Sequence, residues 1–388
     1  MQISKRLAQF GEGVFTQLQS IKIKRLAEGK YVCDLSVGTP NIPPAPHIRR
    51  ALAEAAEDTR EYVYAISDTA ELQDAAAAWY RRRYGVELDP RTEVSSLLGS
   101  QEGLSHIALA FADPGDYILV PDPCYPVFAD GPVIAGAKLH YMPMRRERDF
   151  LIDFAEIPTE VARAAKMMIV SYPNNPTCAL APDSFYHELI AFAREFDILV
   201  LHDNAYSELV YDGHRCGSFL AFPGAKEVGV EFNSLSKTYG MAGARVGFCL
   251  GNAMAVQAVK TLKSNMDYGM FLPVQKAAIA AITGDQSCVA ETCKAYERRR
   301  DALCESFAAV GWPIPKSPGT MFAWAPIPGG FASSQAFAMA LVDRAGVLVT
   351  PGSAFGPSGE GFVRIALVQD EADLRAAAEA IRKSGILG

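Results

Sequence analysis

No window of 18 apolar residues occurs anywhere in the 388-residue sequence. The N-terminus, Met1-Gln2-Ile3-Ser4-Lys5-Arg6, leads into a mixed polar segment without an apolar stretch, so neither a membrane-spanning helix nor a secretory leader is expected. The eight cysteines, at 33, 124, 178, 216, 249, 288, 293 and 304, form no C-x-x-C pair and have no histidine at ligand spacing. No metal site is expected from them, and free thiols suit a reducing, cytoplasmic compartment. Basic charge is not in excess, with 37 Lys+Arg against 44 Asp+Glu and a net charge of −7. The densest cluster, Arg81-Arg82-Arg83, lies in an amphipathic helical pattern and reads as a solvated helix end, so a nucleic-acid partner is not expected. Fixed-period repeats and low-complexity tracts are also missing, which sets aside solenoids and linkers.

What is present is a globular composition, 49% hydrophobic and 21% charged, in a chain long enough for two or three domains of roughly 100–200 residues each. Short apolar runs at 93–99, 117–120, 138–141, 166–171, 198–203, 228–233 and 246–250 read as strands. Helical patterns at 71–84, 103–111 and 184–196 lie between several of them. Strands alternating with helices predict an α/β fold, a mostly parallel central sheet flanked by helices. After residue 272 the rhythm changes to helices at 273–283 and 289–310, short strands at 321–324, 347–350 and 362–367, and a last helix from Glu371. The expected organisation is an N-terminal arm over 1–45, a large domain over 46–272, and a connecting helix with a smaller α+β domain over 273–388. The arm contributes to that smaller domain.

The stretch richest in chemistry is Asn233-Ser-Leu-Ser-Lys237-Thr-Tyr-Gly-Met-Ala-Gly-Ala-Arg245-Val-Gly-Phe. A partly desolvated lysine amine among polar neighbours lowers its pKa and can form a Schiff base with an aldehyde. Ser234, Ser236 and the Arg245 fork suit a phosphate; a loop lysine in solvent is the alternative. The segment resembles the lysine segment of class I/II aminotransferases, the fold-type-I pyridoxal-phosphate enzymes, and further segments follow in that family's order across nearly the whole chain.

Gly99-Ser100-Gln101-Glu102-Gly103 is a turn into a helix start, where free N–H groups favour a phosphate. The resemblance implies that role for Ser100 and for the backbone of Gln101 and Glu102. Pro121-Asp-Pro-Cys-Tyr125 presents an aromatic face after a strand, and Tyr125 is implied to stack on the cofactor ring. In Ser171-Tyr-Pro-Asn-Asn175-Pro-Thr-Cys178, Asn175 is implied to donate to the ring's 3-oxygen, with Cys178 replacing the family's Gly. Asp203 ends an apolar strand, where ligands bind in open α/β sheets and where a helix N-cap is the competing reading. The resemblance implies that Asp203 keeps the pyridine nitrogen protonated and that Tyr206 reaches the 3-oxygen. Arg364, alone in Gly361-Phe-Val-Arg364-Ile-Ala-Leu, needs an anionic partner. On pattern alone that is a structural salt bridge or a bound carboxylate. The family implies the substrate α-carboxylate, with help from Asn175 and a backbone N–H near Gly38. Pro351-Gly-Ser-Ala-Phe-Gly356 resembles the loop at the mouth of that site.

The resemblance also implies a homodimer, because a family tyrosine reaches the neighbouring chain's phosphate. In Tyr62-Val-Tyr64-Ala-Ile-Ser-Asp68-Thr-Ala-Glu-Leu72 the strict offset lands on Val63, and Asp68 stands where the family has Gly. Tyr62 or Tyr64 of the partner subunit serves, with Tyr64 preferred. Lys263-Ser-Asn265-Met-Asp-Tyr-Gly-Met-Phe271 resembles diaminopimelate- and alanine-type aminotransferases, whereas Gln101 departs from the Lys of plant-type diaminopimelate enzymes. Phe15, Ile42 and Tyr64 are further candidates for the site's lining. The implied activity is pyridoxal 5'-phosphate-dependent transfer of an amino group from an L-amino acid to a 2-oxo acid by ping-pong chemistry. A carbon–sulfur β-lyase is the alternative on the same scaffold, and a non-catalytic, cofactor-sensing regulatory module the remote one.

Overall fold

Alternate residues of each central strand enter different cores. Met167 and Ile169 pack into one hydrophobic cluster, and their neighbours Met168 and Val170 into another. Apolar residues at both parities demand cover on both faces, which is the pattern of a buried, mostly parallel sheet. The computed structural model describes residues 1–10 and 14–388, with the side chains of Val14 and Phe15 outside the description.

The strands, in chain order, are β1 (Cys33–Asp34), β2 (Val94–Leu98), β3 (Tyr117–Asp122), β4 (Lys138–Pro143), β5 (Ala165–Ser171), β6 (Leu199–Asp203), β7 (Gly229–Ser234), β8 (Val246–Gly251), β9 (Phe322–Pro326), β10 (Val347–Leu348), β11 (Thr350–Pro351) and β12 (Phe362–Ala366). Seven form the large sheet in the order β2-β8-β7-β6-β5-β3-β4. Every pairing is parallel except those of β8, which runs antiparallel to both β2 and β7. Helices Ala70–Tyr84, Asp183–Phe196 and Leu272–Thr283 cover one face, through side chains such as Leu72, Trp79, Phe185, Leu189 and Ile282. Ser100–Phe111, Val127–Ala135 and Ala253–Met266 cover the other. Ile169, Val170, Val230 and Phe248 have no exposed surface, and each such side chain contributes about 1.5–3 kcal/mol by its removal from water.

A three-stranded antiparallel sheet, β11-β12-β9, packs with helices Ser287–Ala309, Ser334–Ala345 and Glu371–Ser384 in a separate cluster that includes Phe307, Trp312, Phe337 and Ile381. The N-terminal segment joins it, because β1 pairs in parallel with β10. That pairing carries Ser36, Val37 and Gly38 toward the ends of the large sheet's parallel strands. The expected α/β architecture, with a parallel-dominated sheet and helices on both faces, is the one observed.

Two departures from the family pattern have local explanations. Asp68 accepts hydrogen bonds from the backbone N–H (2.7 Å) and the hydroxyl of Ser96, so its carboxylate covers part of β2, an edge strand. Cys178 holds the left-handed conformation that favours glycine, at φ +64°, with its thiol against the carbonyl of Phe322 at 3.3 Å. The turn therefore keeps its shape with a side chain in place, at a cost of about 1–2 kcal/mol.

Candidate active site

A cavity of about 470 Å³ opens where the carboxyl ends of β5 and β6, the start of the helix Ser100–Phe111 and the segment after β7 converge with Gly38 and β12. Open parallel sheets bind ligands at such strand ends. Ser100, Gln101, Tyr125, Asn175, Asp203, Tyr206, Ser234, Ser236, Lys237, Arg245, Gly38 and Arg364 all line it, along with Phe322 and Thr39. Residues more than 300 positions apart in sequence are thus brought to one place.

Lys237 follows β7 in a single helical turn, Leu235–Thr238. Its amine donates to the carbonyl of Gly38 at 3.2 Å. A side chain at position 38 would meet the Phe322 ring at 2.5 Å, so glycine is what lets the N-terminal segment approach this closely. Burial lowers the Lys237 pKa to about 8, assisted by the positive charges of Arg364 and Arg245 and opposed by Asp203. An amine so held has a larger unprotonated share near neutral pH than a solvated lysine and becomes mostly unprotonated above pH 8, as a nucleophile or a base requires.

Asp203 ends β6 and is buried. Desolvation raises its carboxyl to about 6, against the lowering influence of His202, the Ala205 N–H and Lys237. Its Oδ1 is buried without a hydrogen-bond partner among the described residues. An orphaned carboxylate oxygen in such a place calls for a donor from a ligand.

The glycine-rich turn supplies the opposite polarity. Gly99 has φ +80°, and a Cβ there would lie 2.3 Å from Arg245 Nη2. The turn and the guanidinium are therefore pressed together beside the first free N–H groups of the helix Ser100–Phe111, an arrangement suited to a phosphate. Among the described residues no carboxylate pairs with Arg245, which donates to the Ala242 carbonyl at 3.1 Å. Tyr125 donates from its hydroxyl to Gln101 Oε1 at 3.0 Å, which fixes its ring at the wall of the cavity.

Arg364 is buried on β12 and donates to Asn175 Oδ1 (2.9 Å) and to the Ser36 carbonyl (3.1 Å). Its guanidinium lies over the rings of Phe322 and Phe355, 4.2 and 4.6 Å from their centroids. Phe355 comes from the Pro351–Gly356 loop. Burial lowers the Arg364 pKa to about 10, still charged at neutral pH. A planar cation oriented by an amide, a carbonyl and two aromatic faces is preorganised to grip a carboxylate.

The sequence profile described as aminotransferase class I and II matches residues 30–381. The chain belongs to that family. The LL-diaminopimelate aminotransferase of Moorella thermoacetica is 43% identical over 384 residues, covering 99% of this chain and 98% of that protein. Its counterpart from Syntrophobacter fumaroxidans is 45% identical over 381 residues, covering 98% of each. Among solved structures, substrate-bound BacF of Bacillus subtilis superposes with a TM-score of 0.95 at 37% identity, over 99% of this chain and 98% of that one. The protein is an aminotransferase by these matches. The assignment favours amino transfer over the lyase and regulatory alternatives. Members of the family depend in general on pyridoxal phosphate, and their substrates are amino acids and 2-oxo acids. The residues present in this aminotransferase fit that cofactor: a buried acceptor lacking a donor, an amine of lowered pKa, and a glycine turn closed by an arginine. No helix among the described residues is long and apolar enough to cross a membrane.

Glu102, Tyr62, Tyr64 and Ile42 stay outside the cavity of this aminotransferase. Glu102 turns its side chain away, because Lys263 and the Leu98 N–H (2.5 Å) hold its carboxylate, and its own N–H donates to the Gly99 carbonyl at 3.1 Å. Tyr64 and Tyr62 are 83% and 63% exposed on the surface of the single chain. Ile42 packs against the C-terminal core, and the side chain of Phe15 lies outside the described residues. Sequence reasoning did not single out Ser36, Phe322 or Lys263. Ser36 and Phe322 act through a carbonyl and a ring face, which no motif advertises. Lys263 lies in the last turn of the helix Ala253–Met266, where a lysine is ordinary by pattern, and only the fold shows that it is buried.

Proposed function

We propose that Lys237 carries pyridoxal 5'-phosphate in this enzyme and that the amino donor is LL-diaminopimelate or a close analogue. The observation that carries the cofactor reading is the convergence of Lys237, Asp203 and Arg245 on one cavity. The donor reading rests on the relatives' 41–45% identity over nearly the full chain. When bound, the cofactor supplies an aldehyde and a pyridinium ring that stabilises negative charge developing at the substrate Cα.

The chain's residues then divide the work. Arg245, Ser234, Ser236, Ser100 and the N–H groups of the Gly99 turn hold the phosphate. Tyr125 would pack on the ring, Asn175 and Tyr206 would address its 3-oxygen, and Asp203 would accept a hydrogen bond from the protonated ring nitrogen and balance its charge. Arg364, kept in place by Asn175 and the Ser36 carbonyl, grips the α-carboxylate and so fixes the direction of the Cα–H bond. The Lys237 amine, once free, moves the proton at Cα, a task for which a pKa near neutrality is suited. The second half-reaction runs the same groups in reverse on a 2-oxo acid.

The same reading makes the enzyme a cytoplasmic homodimer. Its support is an apolar patch on the surface of one chain, formed by Tyr62, Val63, Tyr64 and Ile66 with Tyr268 and Phe271. An exposed patch of this kind marks an interface, and burying it brings Tyr64 of the partner subunit to the phosphate.

Borohydride reduction of the cofactor-loaded protein followed by peptide mapping tests the assignment. The reading expects the pyridoxyl label on Lys237 alone and light scattering at twice the chain mass. Label on another lysine, or an active monomer, contradicts it.

A further inference from the structure

Behind the phosphate-facing turn lies a charge cluster that the functions above leave unused. Lys263, on the helix Ala253–Met266, is 6% exposed, and Glu102, in the first turn of the helix Ser100–Phe111, is 9% exposed. The two are bonded through Lys263 Nζ and Glu102 Oε1, and Lys263 also reaches Asp267 Oδ1 at 3.5 Å. The ligand atoms of Glu102, His106 and Asp267 lie within 4.8 Å of one another. The ammonium is therefore the cation of this cluster.

Glu102 has a structural task. Its other oxygen accepts from the Leu98 N–H at 2.5 Å, tying the end of β2 to the helix start and closing the turn 98–102. The same carboxylate, however, brings a negative charge into the first helical turn, beside Ser100 and Gln101, which line the cavity. A phosphate dianion at that turn is repelled by a bare carboxylate in the same helical turn, and the burial of Glu102 limits how far solvent screens it.

We infer that Lys263 is a positioning residue for the cofactor phosphate: by neutralising Glu102 it lets that carboxylate shape the turn without expelling the phosphate. This rests on the phosphate assignment made above. Burial, and after it the contact with Asp267, push the Glu102 carboxyl up, while Lys263 and the Leu98 N–H oppose that rise, so the ammonium is what favours the charged form of the carboxylate.

The inference makes opposite demands on two single substitutions, which a packing role does not. The measurement is the release rate of pyridoxal phosphate from holoenzyme diluted into a trap for free cofactor, with uptake of pyridoxal, which lacks the phosphate, measured beside it. Lys263→Met leaves Glu102 uncompensated and speeds release by about 10–100-fold, with pyridoxal uptake changed less than about threefold. Glu102→Gln leaves the ammonium unopposed by that carboxylate and slows release or leaves it unchanged. The double variant Glu102→Gln with Lys263→Met returns release to within about threefold of wild type, because charge is balanced again. Lys263→Arg stays close to wild type.

Release unchanged in Lys263→Met overturns the inference. So does a double variant as impaired as Lys263→Met, or equal losses for pyridoxal and its phosphate, since each assigns the effect to packing. Where Lys263→Met does not fold, Glu102→Gln decides alone: faster release contradicts the account. A wild-type chain that takes up no cofactor overturns the reading of the whole site, and this inference with it.

Discussion

Replacing Asp203 by Asn separates the stability of this enzyme from its activity, and in opposite directions. The Asp203 carboxyl is wholly buried, and its pKa rises from 3.8 to about 6, chiefly by desolvation. Because the folded value lies above the unfolded one, the folded chain binds the proton more tightly, and ionisation destabilises it. The penalty is absent well below pH 3.8, grows as pH rises, and is complete above about 6. Each tenfold gain in proton affinity corresponds to about 1.4 kcal/mol, so the apoprotein at pH 7.5 carries about 3 kcal/mol of destabilisation, and about half of that at pH 5. Asn has nearly the same shape and still accepts from the Ala205 N–H. Urea unfolding of the two apoproteins is therefore expected to show Asp203→Asn more stable by about 1–3 kcal/mol at pH 7.5, with the gap narrowing toward pH 4. Under the cofactor assignment proposed above, in which Asp203 is the ring nitrogen's negative partner, its kcat/KM for amino transfer is expected to fall by about 10²–10⁴. A less stable apo variant at pH 7.5, a gap independent of pH, or activity within tenfold of wild type refutes the reasoning.

Three further outcomes follow from the same geometry. Arg364→Met removes the carboxylate clamp and is expected to cost about 2–4 kcal/mol in kcat/KM for every amino donor, with the bound-cofactor spectrum unchanged; steady-state kinetics with two donors checks this. Gly99→Ala places a methyl against Arg245 Nη2 in a left-handed backbone, so cofactor affinity measured by absorbance titration drops by more than about tenfold. With the Lys237 amine near 8, cofactor capture by the apoprotein accelerates as pH rises from 7 to 9 and levels off above. A stopped-flow profile still climbing at pH 10 contradicts the lowered value.

Much of the fold was legible because it is written in periodicity. The runs around Met167–Val170 are apolar at both parities, a pattern that only a sheet covered on both faces accommodates, and all seven central strands were found within a few residues. Boundaries were less legible. The helix predicted from residue 103 begins at Ser100, because Glu102 and Gly99 set its first turn through contacts with β2 and Arg245 that leave no local pattern. Sequence patterns singled out Lys237, Asp203 and Arg364, and the structure brings these three side chains to one cavity. It was illegible where backbone or packing does the work: the Ser36 carbonyl and the Phe322 ring under Arg364 follow from the β1–β10 pairing and the β9–β12 register. Tyr64 illustrates a different limit. A residue expected to act across a subunit boundary is simply an exposed aromatic on one chain.

The central claim is amino transfer through Lys237, and a half-reaction tests it most directly. Cofactor-loaded enzyme is mixed with LL-diaminopimelate and with single amino acids while the cofactor absorbance is followed and products are assayed. The account predicts that a donor shifts the absorbance to that of the pyridoxamine form, releases stoichiometric 2-oxo acid, and is reversed by a second 2-oxo acid, with LL-diaminopimelate the fastest. Unchanged absorbance with ammonia and pyruvate released from cysteine or cystathionine contradicts it.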